Sequence, residues 1–81
     1  MNLVELTEFL VRNIASEPDM VSVKQFEDDD DKVTIQVLVD EKDMGAVIGR
    51  KGNIANAIRT IVQASSYVNE NKSVRINIDS F

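Results

Sequence analysis

The stretch Val47-Ile48-Gly49-Arg50-Lys51-Gly52-Asn53-Ile54-Ala55-Asn56-Ala57-Ile58 decides how the rest of the chain is read. Two glycines bracket two basic residues, and apolar residues at helical spacing stand on both sides. Glycine has no Cβ, so the backbone at Gly49 and Gly52 can turn sharply and let another chain approach closely. Gly52 stands where a helix begins, and free N–H groups and the positive end of the helix dipole meet an anion there. Arg50 and Lys51 add two cationic donors at the tip. Ile48 and Ile54 anchor the flanking helices, so the loop is held.

Outward from this loop, residues 53–66 read as a helix with Ile54, Ile58, Ile61, Val62 and Ser65 on its inner face. On the other side, Asp40 can cap a short helix over 41–48. Gly45 costs that helix about 1 kcal/mol relative to alanine, so it needs tertiary support. Residues 32–39 are the clearest strand, Val33, Ile35, Val37 and Val39 alternating with Lys32, Thr34, Gln36 and Leu38. Residues 20–26 read as a second strand, with Val21 and Val23 on one face. The acidic run 27–31 reads as the loop of an antiparallel hairpin, because adjacent acids repel and offer nothing to a core. Residues 3–16 form an amphipathic helix on Leu3, Leu6, Leu10 and Ile14. Asn2 and Glu5 make a capping box at its start, and Glu17-Pro18 ends it. After a turn at Asn69-Glu70-Asn71, residues 72–79 give a last strand with Val74, Ile76 and Ile78 inward and Arg75, Asn77 and Asp79 outward. The order α-β-β-α-α-β makes a single α+β domain over 1–81, with a three-stranded mixed sheet covered by helices on one face.

Composition narrows the function. The 81 residues contain no cysteine and no histidine. That removes disulfides, thiolate zinc sites and the commonest general base. No metal, no cofactor and no enzymatic activity are expected. The net charge of −5 is unevenly spread: residues 1–43 carry 12 acids and 4 bases, residues 44–81 carry 2 acids and 5 bases. The half that holds the loop is therefore locally basic, and that asymmetry is what informs about a partner. The N-terminus lacks a basic n-region and Glu5 and Glu8 interrupt its apolar run, so it is not a signal peptide. A soluble, cytoplasmic protein is the simplest expectation. The loop lacks the Gly-Lys-Ser/Thr ending of a P-loop and the Gly-x-Gly spacing of a dinucleotide site. The acid run does not alternate as a calcium loop does, and a solvated hairpin tip explains it better.

Ile-Gly-x-x-Gly-x-Ile between two helices resembles the signature of KH domains, whose GXXG loop clamps the backbone of about four nucleotides. The order α-β-β-α-α-β is similar to the type II arrangement of that fold. Length and the continuation Ala57-Ile58-Arg59-Thr60-Ile61 resemble the KhpA family of small bacterial single-KH proteins most. The resemblance implies non-catalytic single-stranded RNA binding, as an RNA chaperone or post-transcriptional regulator. It also implies a homodimer, or a heterodimer with a larger KH-containing protein. Carried onto this chain, Gly49, Arg50, Lys51 and Gly52 contact the backbone, and Ile48, Asn53, Ile54 and Ala57 line the groove for bases. Val47 and part of Val33 to Val39 are further candidates for that wall. Arg59 and Arg75 are candidates to extend the basic track. The rival reading is a dimerisation or adaptor module whose partner does most of the RNA binding, favoured by the acidic first half. A plain helix-loop-helix corner accounts for the glycines but not for the paired cations at the tip.

Overall fold

Strict alternation in residues 32–39 builds the central strand of the computed structural model, which describes residues 1–81. The elements run α1 (Leu3–Arg12), β1 (Ser22–Asp29), β2 (Lys32–Val39), α2 (Met44–Ile48), α3 (Asn53–Asn69) and β3 (Ser73–Ser80). The sheet order is β1-β2-β3, with β1 antiparallel and β3 parallel to β2. Val33, Ile35, Val37 and Val39 are at most 1% exposed, and the core they found also takes Leu3, Val11, Val21, Val47, Ile58, Val62 and Ile76. The helices lie on that face; the even-numbered residues of β2 look out the other way. The α+β order and the mixed sheet are thus as the pattern predicts.

Three boundaries differ from expectation, the first two for a tertiary reason. Helix α1 ends at Arg12 rather than 16. Buried Asp43, just before α2, accepts hydrogen bonds from the Ser16 N–H (2.9 Å), the Ser16 hydroxyl (2.7 Å) and the Glu17 N–H (3.0 Å), which holds this segment out of the helix. The start of α1 is as read: Asn2 Oδ1 accepts from the Glu5 N–H at 2.8 Å and the Asn2 N–H donates to Glu5 Oε1 at 3.1 Å. Most of the acid run is strand, not loop. β1 continues to Asp29, a bulge falls between Glu27 and Asp29, and the tip is Asp30-Asp31 alone. Donors on β2 and just before β3 make that possible: Asp29 stands opposite Lys32, Thr34 donates to Asp28, and Lys72 pairs with Glu27 at 3.1 Å. The segment expected as one helix over 41–48 divides into a 3-10 turn (Glu41–Asp43) and α2, with Asp40 accepting from the Lys42 N–H at 3.0 Å.

Helix α3 runs to Asn69, and its inner face is Ala55, Ile58, Val62 and Ser66. Ile54 and Ile61, expected there, are 38% and 46% exposed. Counting mainly apolar residues rotates the face and selects half-buried Ser65 in place of Ser66, which, like Thr7 in α1, is a wholly buried hydroxyl. Each is satisfied internally: Thr7 donates to the Leu3 carbonyl at 2.8 Å and Ser66 to the Lys72 carbonyl at 2.7 Å. A buried hydroxyl with its bond made costs little, so it fills a core position as readily as valine.

Candidate nucleic-acid interface

Between α2 and α3 the chain makes one 3-10 turn, Arg50–Gly52. Gly49 has φ 76° and ψ 177°, Lys51 φ 53° and Gly52 φ 77°. Each glycine has an intrachain reason. A Cβ on Gly49 would stand 2.4 Å from Cγ1 of Ile54 and 2.9 Å from its backbone nitrogen. On Gly52 it would meet nothing nearer than Asn56 Nδ2 at 3.8 Å, so only the left-handed backbone requires glycine there. Ile54 thus braces the loop from beneath, and the Gly52 side stays open to a visitor.

The loop's charge is free. The ion pairs of the molecule are Arg12–Glu8, Lys42–Glu17 and Lys72–Glu27. Arg50 and Lys51 are exposed and in none of them. The start of α3 has no side-chain cap: Gly52 brings no acceptor to its first-turn N–H groups, whereas α1 is fully boxed by Asn2 and Glu5. The 3-10 turn uses two N–H groups there, Gly52 donating to the Gly49 carbonyl at 3.2 Å and Asn53 to the Arg50 carbonyl. A helix start without a side-chain cap, beside two cations without acidic partners, favours an anion through its dipole and through the first-turn N–H groups that the 3-10 turn does not use.

One edge of the sheet faces the same way. β3 pairs only with β2, so its other edge carries unpaired backbone groups. Side chains of α3 cover that edge from its far end. Ser66 Oγ and Gln63 Nε2 donate to the Lys72 carbonyl at 2.7 and 2.9 Å, and Gln63 Oε1 accepts from the Val74 N–H at 2.8 Å. Nearer the loop, Arg59 donates to the Ile76 carbonyl through Nε and Nη2, both at 3.3 Å, and to Asn56 Oδ1 at 3.2 Å. By the two-residue period the peptide groups of Ile78 share this edge, beyond the reach of Gln63 and Arg59. A shallow hollow of about 450 Å³ follows the line, walled by Arg59, Thr60, Gln63, Ala64, Tyr67 and Val74. A larger hollow near Met1–Val4 and the end of α3 lies away from the loop and carries no basic side chain.

The nominated residues therefore divide. Gly49, Arg50, Lys51, Gly52 and Asn53 sit together at the start of α3, with Ile48 half-buried behind them. Arg59 faces the β3 edge. Ile54 and Ala57 share instead a separate stripe with Ile61, Ala64 and Val68, all exposed and spaced by three and four. Val47 and Val33 to Val39 do not form a groove wall: Val47, Val33, Ile35, Val37 and Val39 are core. Arg75 is exposed on the opposite face of the sheet, in the row of Phe26 and Thr34, and does not continue the track. Asn56, Gln63 and Tyr67 were missed. Their signal was present as a polar row, Asn56-Arg59-Gln63-Tyr67, beside the apolar ones.

Known proteins resemble this chain along nearly its whole length. The family model described as KhpA/KhpB, KH domain, matches residues 4–78. The RNA-binding protein KhpA of Clostridium perfringens is 36% identical over 74 residues, covering 91% of this chain and 96% of the relative. That of Streptococcus pneumoniae serotype 4 is 43% identical over 70 residues, covering 86% and 85%. Among solved structures, Aquifex aeolicus Era bound to GDP.AlF4- superposes with a TM-score of 0.79 at 15% identity, over 98% of this chain but only 30% of that one. Era in complex with MgGDPNP and nucleotides 1506–1542 of 16S ribosomal RNA gives 0.69 at 19% identity, over 96% of this chain and 29% of that one. At such identity these two speak for the fold alone, which is that of a type II KH domain.

Proposed function

The chain belongs to the KhpA/KhpB KH-domain family, and from that premise we propose that it binds single-stranded RNA without catalysis, as an RNA chaperone or post-transcriptional regulator. The observation that carries this reading is the loop Gly49–Gly52: two cations without acidic partners at an uncapped helix start. One phosphate meets the N–H groups at the start of α3, and Arg50 and Lys51 take its neighbours. The strand then follows the β3 edge, where bases find backbone donors and acceptors. The names of the relatives, RNA-binding protein KhpA, support the same reading.

Replacing Arg50 and Lys51 together by aspartate tests it. The double variant is expected to keep its fold and lose RNA binding. With two to three phosphates neutralised, log affinity of the wild type should fall with log salt at a slope of about −1.4 to −2 on a single strand. Binding retained in the double variant would show that the loop is not the site.

A second reading is favoured by the stripe Ile54, Ala57, Ile61, Ala64, Val68, an exposed apolar row at the spacing of a helix-pairing seam. Its occupant in this reading is a second copy. The row is nearly symmetric about Ile61, so two antiparallel α3 helices would set Ile61 on Ile61, Ile54 on Val68 and small Ala57 on small Ala64. That orientation also brings Arg50 and Lys51 of one copy toward Glu70 at the other's helix end. Pairing joins two weak sites, and the second then binds at a raised effective concentration. Should pairing be the main role, with RNA held by a larger KH-containing partner, the purified protein alone would fail to crosslink to RNA.

A further inference from the structure

We propose that Arg59 is a specificity-determining latch: it holds the Ile76 carbonyl closed to a nucleobase until a base donor displaces it. The proposal rests on the RNA-binding reading and concerns the same groove. Along the free edge of β3 the cover loosens toward the loop. Lys72 and Val74 are held at 2.7 to 2.9 Å by Ser66 and Gln63, side chains with nothing else to bind there. The two Arg59 contacts on Ile76 are 3.3 Å each, long for a charged donor, whose bonds ordinarily fall at about 2.7–2.9 Å. Arg59 is exposed and in no ion pair, so no carboxylate fixes it in place. Its third contact, Asn56 Oδ1 at 3.2 Å, ties it to the helix turn that follows Gly52. A strand clamped at the loop arrives first at Asn56 and then at Arg59.

Displacement exchanges one donor for another. A base N–H takes the Ile76 carbonyl, and the freed guanidinium, with its five donors, turns out to water. The carbonyl is therefore never left bare, in the empty or in the occupied state. A base that cannot donate at that point leaves Arg59 on the strand edge and forgoes the bond. Discrimination is thus set by competition with Arg59 rather than by the backbone edge alone, and the latch holds it down.

The test compares binding of oligo(A) with the same strand made of N6,N6-dimethyladenosine, which has lost the amine protons but not the phosphates. For Arg59→Ala the expected result is a preference for oligo(A) over the dimethyl strand that rises about three- to tenfold, with the salt slope unchanged. Arg59→Gln, which can donate to Ile76 without charge as Gln63 does to Lys72, should return the preference close to wild type. Equal weakening of both strands by Arg59→Ala, with a slope shallower by about 0.7, would make Arg59 an ordinary phosphate contact and overturn the proposal. An unchanged preference would overturn it too and leave Arg59 a brace of the fold. Failure of the RNA reading itself has a different signature: the wild type, like the Arg50–Lys51 aspartate variant, would bind neither strand.

Discussion

Two glycines three residues apart do different work. Gly49 is pressed against Ile54, so a methyl group there collides with both the side chain and the backbone nitrogen of Ile54 and sits on a backbone that favours glycine. Gly52 has space and needs only its left-handed φ. Gly52→Ala should cost about 1–2 kcal/mol in urea unfolding, the price of the backbone alone. Gly49→Ala adds overpacking of about 1–3 kcal/mol to a similar backbone strain and should be clearly the worse of the two. Equal losses would mean that Ile54 is not the brace of the loop. Asp43 is the other residue on which the site depends. The Ser16 hydroxyl, then the Ser16 and Glu17 N–H groups, hold its carboxyl below the ordinary value for aspartate. A depressed folded-state value contributes stability above the ordinary aspartate value of about 3.9, and that stability is lost as pH falls through the lowered one. Asp43→Asn should lower the melting temperature by several degrees at neutral pH, and the gap from wild type should narrow on acidification below about pH 4. A gap independent of pH would show that the charge of Asp43 does not matter.

Helix α3 is the element that does most of this. One side closes the core through Ala55, Ile58, Val62 and Ser66. A second side lines the β3 edge through Arg59 and Gln63. A third is the stripe around Ile61. Three faces on one helix of 17 residues make the roles separable by substitution. Ile61→Glu, placed at the centre of the stripe and 46% exposed in the single chain, should leave the fold intact. If copies pair through this face, light scattering of that variant should give the monomer mass, and RNA affinity should fall by tenfold or more as the second site is lost. A dimer that survives Ile61→Glu would move the pairing surface elsewhere.

At the scale of the molecule, charge is arranged along the sheet. The acidic tip Asp30-Asp31 lies at the start of β2, and the Gly49–Gly52 loop follows its end, some eight residues or roughly 25 Å away. That separation exceeds two Debye lengths at physiological salt, so the tip scarcely weakens the loop itself. It does stand beside the start of β3, where the Ser73 N–H donates to the Asp31 carbonyl at 2.8 Å. The edge thus begins cationic at the loop and ends at acids. At physiological salt, exchanging Asp28 to Asp31 for serine should leave a tetranucleotide's affinity nearly unchanged and tighten binding of a strand of ten or more. Equal effects on both lengths, or none, would remove the tip from the binding path.

Much of this was legible in the residues. Alternation over 32–39, the capping box at Asn2 and Glu5, and the glycine-bracketed cations fixed the element order and the position of the loop, because period and backbone freedom are local properties. The extent of α1 was not, since Asp43, 27 residues after Ser16, decides where it stops. Nor was the strand character of Glu27 to Asp29, which depends on Lys32 and Thr34 from β2 and on Lys72 just before β3. The sheet edge behind the loop was illegible for the same reason. Which backbone groups stay unpaired depends on strand order, and which side chains cover them depends on how α3 lies across β3. The sequence by itself determined that a held, cationic, glycine-bracketed loop joins two helices of an α+β domain. Only the tertiary structure decided that its charges are unpaired and that the half-covered edge of β3 lies alongside, because those depend on contacts between residues far apart in the chain.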